Sequence, residues 1–128
     1  MTSSLHNDHW LETYKSLVAI SMEGFKYLVL INGGAAVALL AYLGNVAANN
    51  HAVPDMRCPM LAFLLGLSLC GLALLGSYLT QLLLLNELSK PDQKSERHPV
   101  LLWGTILLYV FSLGAFIVGS WQAVVRFN

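Results

Sequence analysis

Residues 58–86 read CPMLAFLLGLSLCGLALLGSYLTQLLLLN, and this stretch decides the fold class. It carries no Asp, Glu, Lys or Arg, and it exceeds the roughly 20 residues that a helix needs to cross about 30 Å of hydrocarbon. A chain in lipid must satisfy its backbone polar groups internally, by forming helices or closed barrels. Barrel strands alternate polar and apolar residues over about ten positions, and Leu82-Leu83-Leu84-Leu85 does not alternate. The stretch therefore reads as a transmembrane helix.

Two further windows share this property. Tyr27–Pro54 and His98–Val125 are also free of the four charged residue types. All four prolines (Pro54, Pro59, Pro91 and Pro99) fall at or outside the window ends. Pro59 and Pro99 suit the first turn of a helix, where a missing N–H costs nothing. The expected fold is all-α, with three transmembrane helices near 26–46, 59–87 and 99–126 and an N-terminal amphipathic helix before them. Residues 1–25 then form a cytoplasmic or interfacial segment and 26–128 the membrane domain.

Composition agrees. The chain has 128 residues, 56% hydrophobic and only 11% charged, with seven charges of each sign. Mean hydropathy is +0.62. A soluble domain carries about 25% charged residues. The absence of a basic field argues against nucleic acid as a partner. The composition also argues against a disordered chain and an ordinary soluble enzyme.

Orientation follows from Lys and Arg. Lys15, Lys26, Lys90, Lys94 and Arg97 would lie on one side, and Arg57 and Arg126 on the other. This predicts a cytoplasmic N-terminus and an external C-terminus. The polar stretch before the first apolar run is longer than the n-region of a signal peptide, so none is expected. Trp103 and Trp121 stand 18 positions apart, about 27 Å along a helix. They read as interfacial anchors, with Trp10 as a third.

In the N-terminal segment, Trp10, Leu11, Tyr14, Leu17, Val18, Ser21 and Phe25 recur at spacings of three and four, the pattern of an amphipathic helix. Two readings stay open: a helix lying on the inner leaflet, or a cytoplasmic helix packing on copies of itself or on a partner. Either a bend at Gly24 or a helix continuing unbroken into the first span fits both readings.

Nine of the ten glycines lie in the three windows. Membrane helices associate by close backbone approach at small residues. Gly34, Ala38, Ala41 and Asn45 line one side of the first span. Ala62, Gly66, Cys70, Ala73 and Ser77 line the second, and Thr105, Ser112, Ala115, Gly119 and either Gln122 or Ala123 the third. These faces read as packing faces within one bundle or between copies. Cys58 and Cys70 are too far apart on one helix to bridge. Asn32, Gln81 and Thr105 each lie six positions from an expected span end. They are expected to form one polar layer, either an interhelical hydrogen-bond layer or the lining of a pore.

No span centre is expected to hold a charged group, which argues against a coupled transporter. His6 and His9 make at most a weak metal site. No nucleophile–base set, paired acids, P-loop or dinucleotide fingerprint occurs, so neither catalysis nor a cofactor is expected.

Two runs carry a resemblance. One is Glu23-Gly24-Phe25-Lys26 with Ile31 to Asn45; the other is Ser77-Tyr78-Leu79-Thr80-Gln81-Leu82 with the closing Gly119-Ser120-Trp121. Together they resemble a family of small bacterial inner-membrane proteins with three spans and no assigned function. The resemblance implies a bacterial inner-membrane location and supplies no activity or site residue. The leading expectation is a non-enzymatic, oligomerising scaffold or accessory subunit whose spans pack through the small faces and whose cytoplasmic helix and loop 87–98 meet a partner. The alternatives are a holin-like or anti-phage pore and an immunity protein against a membrane-active toxin.

Overall fold

The computed structural model describes residues 2–49, 52–89 and 98–127, with side chains described for 8–49, 52–86 and 100–127. The chain is all-helical there. It forms α1 (Thr2–Ala48), α2 (Arg57–Ser89) and α3 (His98–Phe127). Each contains a segment long and apolar enough to cross a membrane: Asp8–Ala48, Arg57–Asn86 and Val100–Phe127. The segment with Lys90, Lys94 and Arg97, which carries most of the orientation argument and the expected partner loop, lies outside the described residues. So does the side chain of His6.

The helix bounds of α2 and α3 fall within three residues of those expected from charge and proline. The first span differs. Helical backbone runs without interruption through Gly24, so the expected amphipathic segment and the first span are a single helix of 47 residues. Nothing in 2–26 stops a helix: it holds no proline, and its one glycine lowers helix propensity by about 1 kcal/mol only. Of the face proposed for burial in that segment, Phe25 is buried and Val18 half-buried, and the rest is uncovered. Trp10, Leu11, Tyr14 and Leu17 are all exposed.

Helices α2 and α3 form an antiparallel pair packed along their length, and α1 lies mainly on α2. Two apolar clusters hold the three together. Phe25 and Leu28 of α1 meet Cys70 and Ala73 of α2 in one, with Leu108, Tyr109 and Leu113 against them. Ala36 and Leu39 meet Met56 and Phe63 in the other, with Met60 and Phe116. The outward surface is apolar: Leu30, Leu65, Leu85 and Val100 are exposed, as lipid-facing residues are.

The connection between α1 and α2 closes one end of the bundle. Asp55 Oδ1 accepts a hydrogen bond from the Arg57 backbone N–H at 3.1 Å, satisfying a donor that the start of α2 leaves free. Arg126 donates to the Asp55 carbonyl, and its guanidinium lies 3.5 Å from Asp55 Oδ2. Beside it, the rings of Tyr42 and Phe127 meet edge to face at 4.9 Å.

Candidate functional site

The expected small-residue faces divide into two groups. On α2, Gly66, Cys70 and Ala73 are buried, and Ala62 and Ser77 are half-buried. On α3, Ser112 and Gly119 are buried and Ala115 is half-buried. These two faces look inward. A Cβ on Gly119 would stand 2.8 Å from the Phe63 ring, and one on Gly76 2.7 Å from Thr105 Oγ1. The α1 residues Gly34, Ala38, Ala41 and Asn45 are instead all exposed. The inward face of α1 is built from larger side chains: Phe25, Leu28, Asn32, Ala36 and Leu39. Small size alone does not choose a face when α2 offers a groove of Gly, Cys and Ala to receive bulk.

The three residues expected to make one polar layer do not share a level. Asn32 is fully buried and lies against Gly66, where a Cβ would collide with its amide. Its Nδ2 donates to the Leu28 carbonyl at 3.1 Å. Ser112 donates to the Gly66 carbonyl at 2.7 Å. Asn32, Gly66 and Ser112 thus form a tier between the two apolar clusters. Gln81 is 15 positions beyond Gly66 on α2, about 22 Å along the axis. Thr105 faces Gly76 and bonds back to the Leu101 carbonyl at 2.9 Å. Gln81 and Thr105 do share one feature, a lateral groove of about 560 Å³ between the three helices, floored by Gly24, Phe25 and Tyr109. The expected layer assumed that Lys26, Glu87 and Pro99 stand level. Side-chain packing sets the register instead, and it slides α1 along α2.

That slide moves charge into the middle of the bundle. Cys70 Sγ lies 3.7 Å from the Phe25 carbonyl oxygen. Tyr109 Oη lies 3.5 Å from the Gly24 carbonyl oxygen. Cys70 is 12 positions from Cys58 and 16 from Asn86, about 18 and 24 Å from the ends of its charge-free window. Tyr109 stands similarly within His98–Val125. Glu23 and Lys26 flank Gly24 and Phe25, so they are level with the middle of the other two apolar windows. The two are paired, Lys26 Nζ to Glu23 Oε1 at 2.6 Å, and their side chains are 66% and 72% exposed. The centres of the three expected spans themselves hold no Asp, Glu, Lys or Arg; the two charges beside them come from α1 residues just before the first window. Sequence reading missed this because each window was bounded by its own charges, with no information on how the helices align.

Trp10, Trp103 and Trp121 are all exposed. Tyr109 lies about 9 Å from Trp103 and about 18 Å from Trp121 along α3, so the ion pair also falls between the two expected belts. Cys58 is free and exposed, and Cys70 free and buried. Among the described residues no group of three or more His, Cys, Asp and Glu could hold a metal ion.

Comparison with family models, with curated proteins and with solved structures finds no match to this chain. The fold defines its class: among the described residues it is all-α, with three helices that each contain a segment long and apolar enough to cross a membrane.

Proposed function

We propose that this chain is a non-enzymatic integral membrane protein that acts as an oligomerising scaffold or accessory subunit, with α1 as the helix that meets its partner. One observation carries the reading. The small-residue faces of α2 and α3 are used inside the bundle, while that of α1 is uncovered at Gly34, Ala38, Ala41 and Asn45. Membrane helices associate through such faces. The resemblance and the Lys/Arg distribution support a bacterial inner membrane with the N-terminus in the cytoplasm. The pore-forming reading has less support: Asn32 donates to a carbonyl of its own helix and Ser112 to one of α2, and both are fully buried.

Light scattering on the purified protein, with detergent subtracted and again in nanodiscs, tests this. A defined multimer is expected. A monomer in both media with no co-purifying membrane protein overturns the scaffold. Overexpression is expected to leave the membrane potential intact; depolarisation would favour the pore.

A further inference from the structure

The Glu23–Lys26 pair does not fit a surface that faces only lipid. An ionisable group at this depth is expected to face a bundle interior or a partner. The pair lies on the outer side of α1, opposite Phe25, Leu28 and Asn32, and both side chains are about two-thirds uncovered. Lys26 is about 12 Å from the level of Trp103, which a four-carbon stem does not bridge. The salt bridge cancels the net charge and leaves two strongly polar groups unshielded.

The same face is patterned. Glu23, Tyr27, Leu30, Gly34, Val37 and Ala41 follow steps of 4, 3, 4, 3 and 4, and every one is exposed. A 3.5-residue repeat keeps one seam turned toward a neighbouring helix. At Gly34 no atom lies within 4 Å of where a Cβ would stand, leaving room for close backbone approach.

We propose that a second copy of this chain covers the face, α1 against α1, with Glu23 of each copy paired to the partner subunit's Lys26. The proposal rests on the oligomerising reading above and names its interface. Charge complementarity selects the occupant. Copies inserted in the same orientation are related by a twofold along the bilayer normal, and a twofold interface must be complementary to itself. The twofold brings the two Glu23 carboxylates to one level with a Lys26 one turn along from each, so each Glu can reach the other copy's Lys and the four groups together are neutral. A helix without this pattern would cover the pair and offer neither charge an opposite partner.

Disulfide cross-linking in native membranes tests the interface. A41C is made in a C58S background, with L65C, on the outer side of α2, as the comparison. Oxidation is expected to give a covalent dimer at A41C and little at L65C. Equal yields at the two sites would mean random collision and overturn the proposal. The charges are then tested separately. E23K makes a doubly positive copy and K26E a doubly negative one, and either change breaks the pair within a helix. Each alone is expected to lower the A41C dimer yield about tenfold. Co-expressing the two with different tags is expected to restore it in mixed pairs only. An unchanged yield from either alone overturns the charge pairing. If E23K or K26E does not accumulate, the A41C against L65C comparison with native charges decides. A multimer by light scattering without an A41C dimer sinks this interface and leaves the scaffold reading standing. A monomer by scattering sinks this interface, and it sinks the scaffold reading too when no other membrane protein co-purifies.

Discussion

The amide oxygen of Asn32 rests on the Cα of Gly66, so a Cβ at that position would occupy the same space. Among the described residues that oxygen accepts no hydrogen bond. Its near neighbour is a glycine C–H, the weak donor found where membrane helices cross closely. Gly66 is engaged from two sides, by Asn32 on its Cα and by Ser112 on its carbonyl.

Gly66→Ala tests that contact. Alanine gains about 1 kcal/mol of helix propensity but must displace a buried amide, and overpacking costs about 1–3 kcal/mol. A net loss of thermal stability in detergent is expected. Adding Asn32→Ala is expected to recover part of it, because neighbouring sites are not additive. Gly71→Ala, at a position with nothing within 4 Å, is expected to be neutral or slightly stabilising. Equal losses at Gly66 and Gly71 would show that the crowding is not there.

Ser112→Ala removes the buried donor to the Gly66 carbonyl. Interhelical hydrogen bonds of this kind contribute about 0.6–2 kcal/mol. A loss within that range, measured by unfolding in mixed micelles, is expected. No loss would mean that Ser112 serves as a small packing residue alone.

Arg126→Met is expected to reduce stability by less than about 1 kcal/mol. Arg126 and Asp55 are 37% and 63% exposed in their side chains, so solvent screens the pair and salt should shrink the effect further. A larger loss would place the weight on the Arg126 contact with the Asp55 carbonyl, which tethers the α1–α2 connection to α3.

The two thiols report topology. Cys58 is exposed and Cys70 buried. A membrane-impermeant maleimide added to intact cells is expected to label Cys58 rapidly and leave Cys70 unlabelled until the protein unfolds. Labelling of Cys58 only after permeabilisation would invert the expected orientation.

The helical class and the bounds of α2 and α3 were legible because charge and proline mark span ends directly. The inward faces of α2 and α3 were legible because small residues recur there at helical spacing. The inward face of α1 was not, because Phe25, Leu28 and Leu39 look like lipid-facing residues until the α2 groove that receives them is known. Alignment between helices was equally hidden. A residue's distance from its own span end says nothing about its level beside a neighbour. For that reason sequence position alone groups Asn32 with Gln81 and makes Lys26 a span boundary.

The unbroken run of α1 has a mechanical consequence. The helix is held from Phe25 and Leu28 through Ala36 and Leu39 to Tyr42, and continues as one rod about 25 Å beyond Phe25 to Asp8. Such a rod is a cantilever, clamped along one half and unsupported at the tip. Bending it by about 10° at Phe25 shifts Asp8 sideways by about 4 Å while the Tyr42 end stays held. A sideways force on the tip is then borne first where Phe25 and Leu28 meet Cys70 and Ala73.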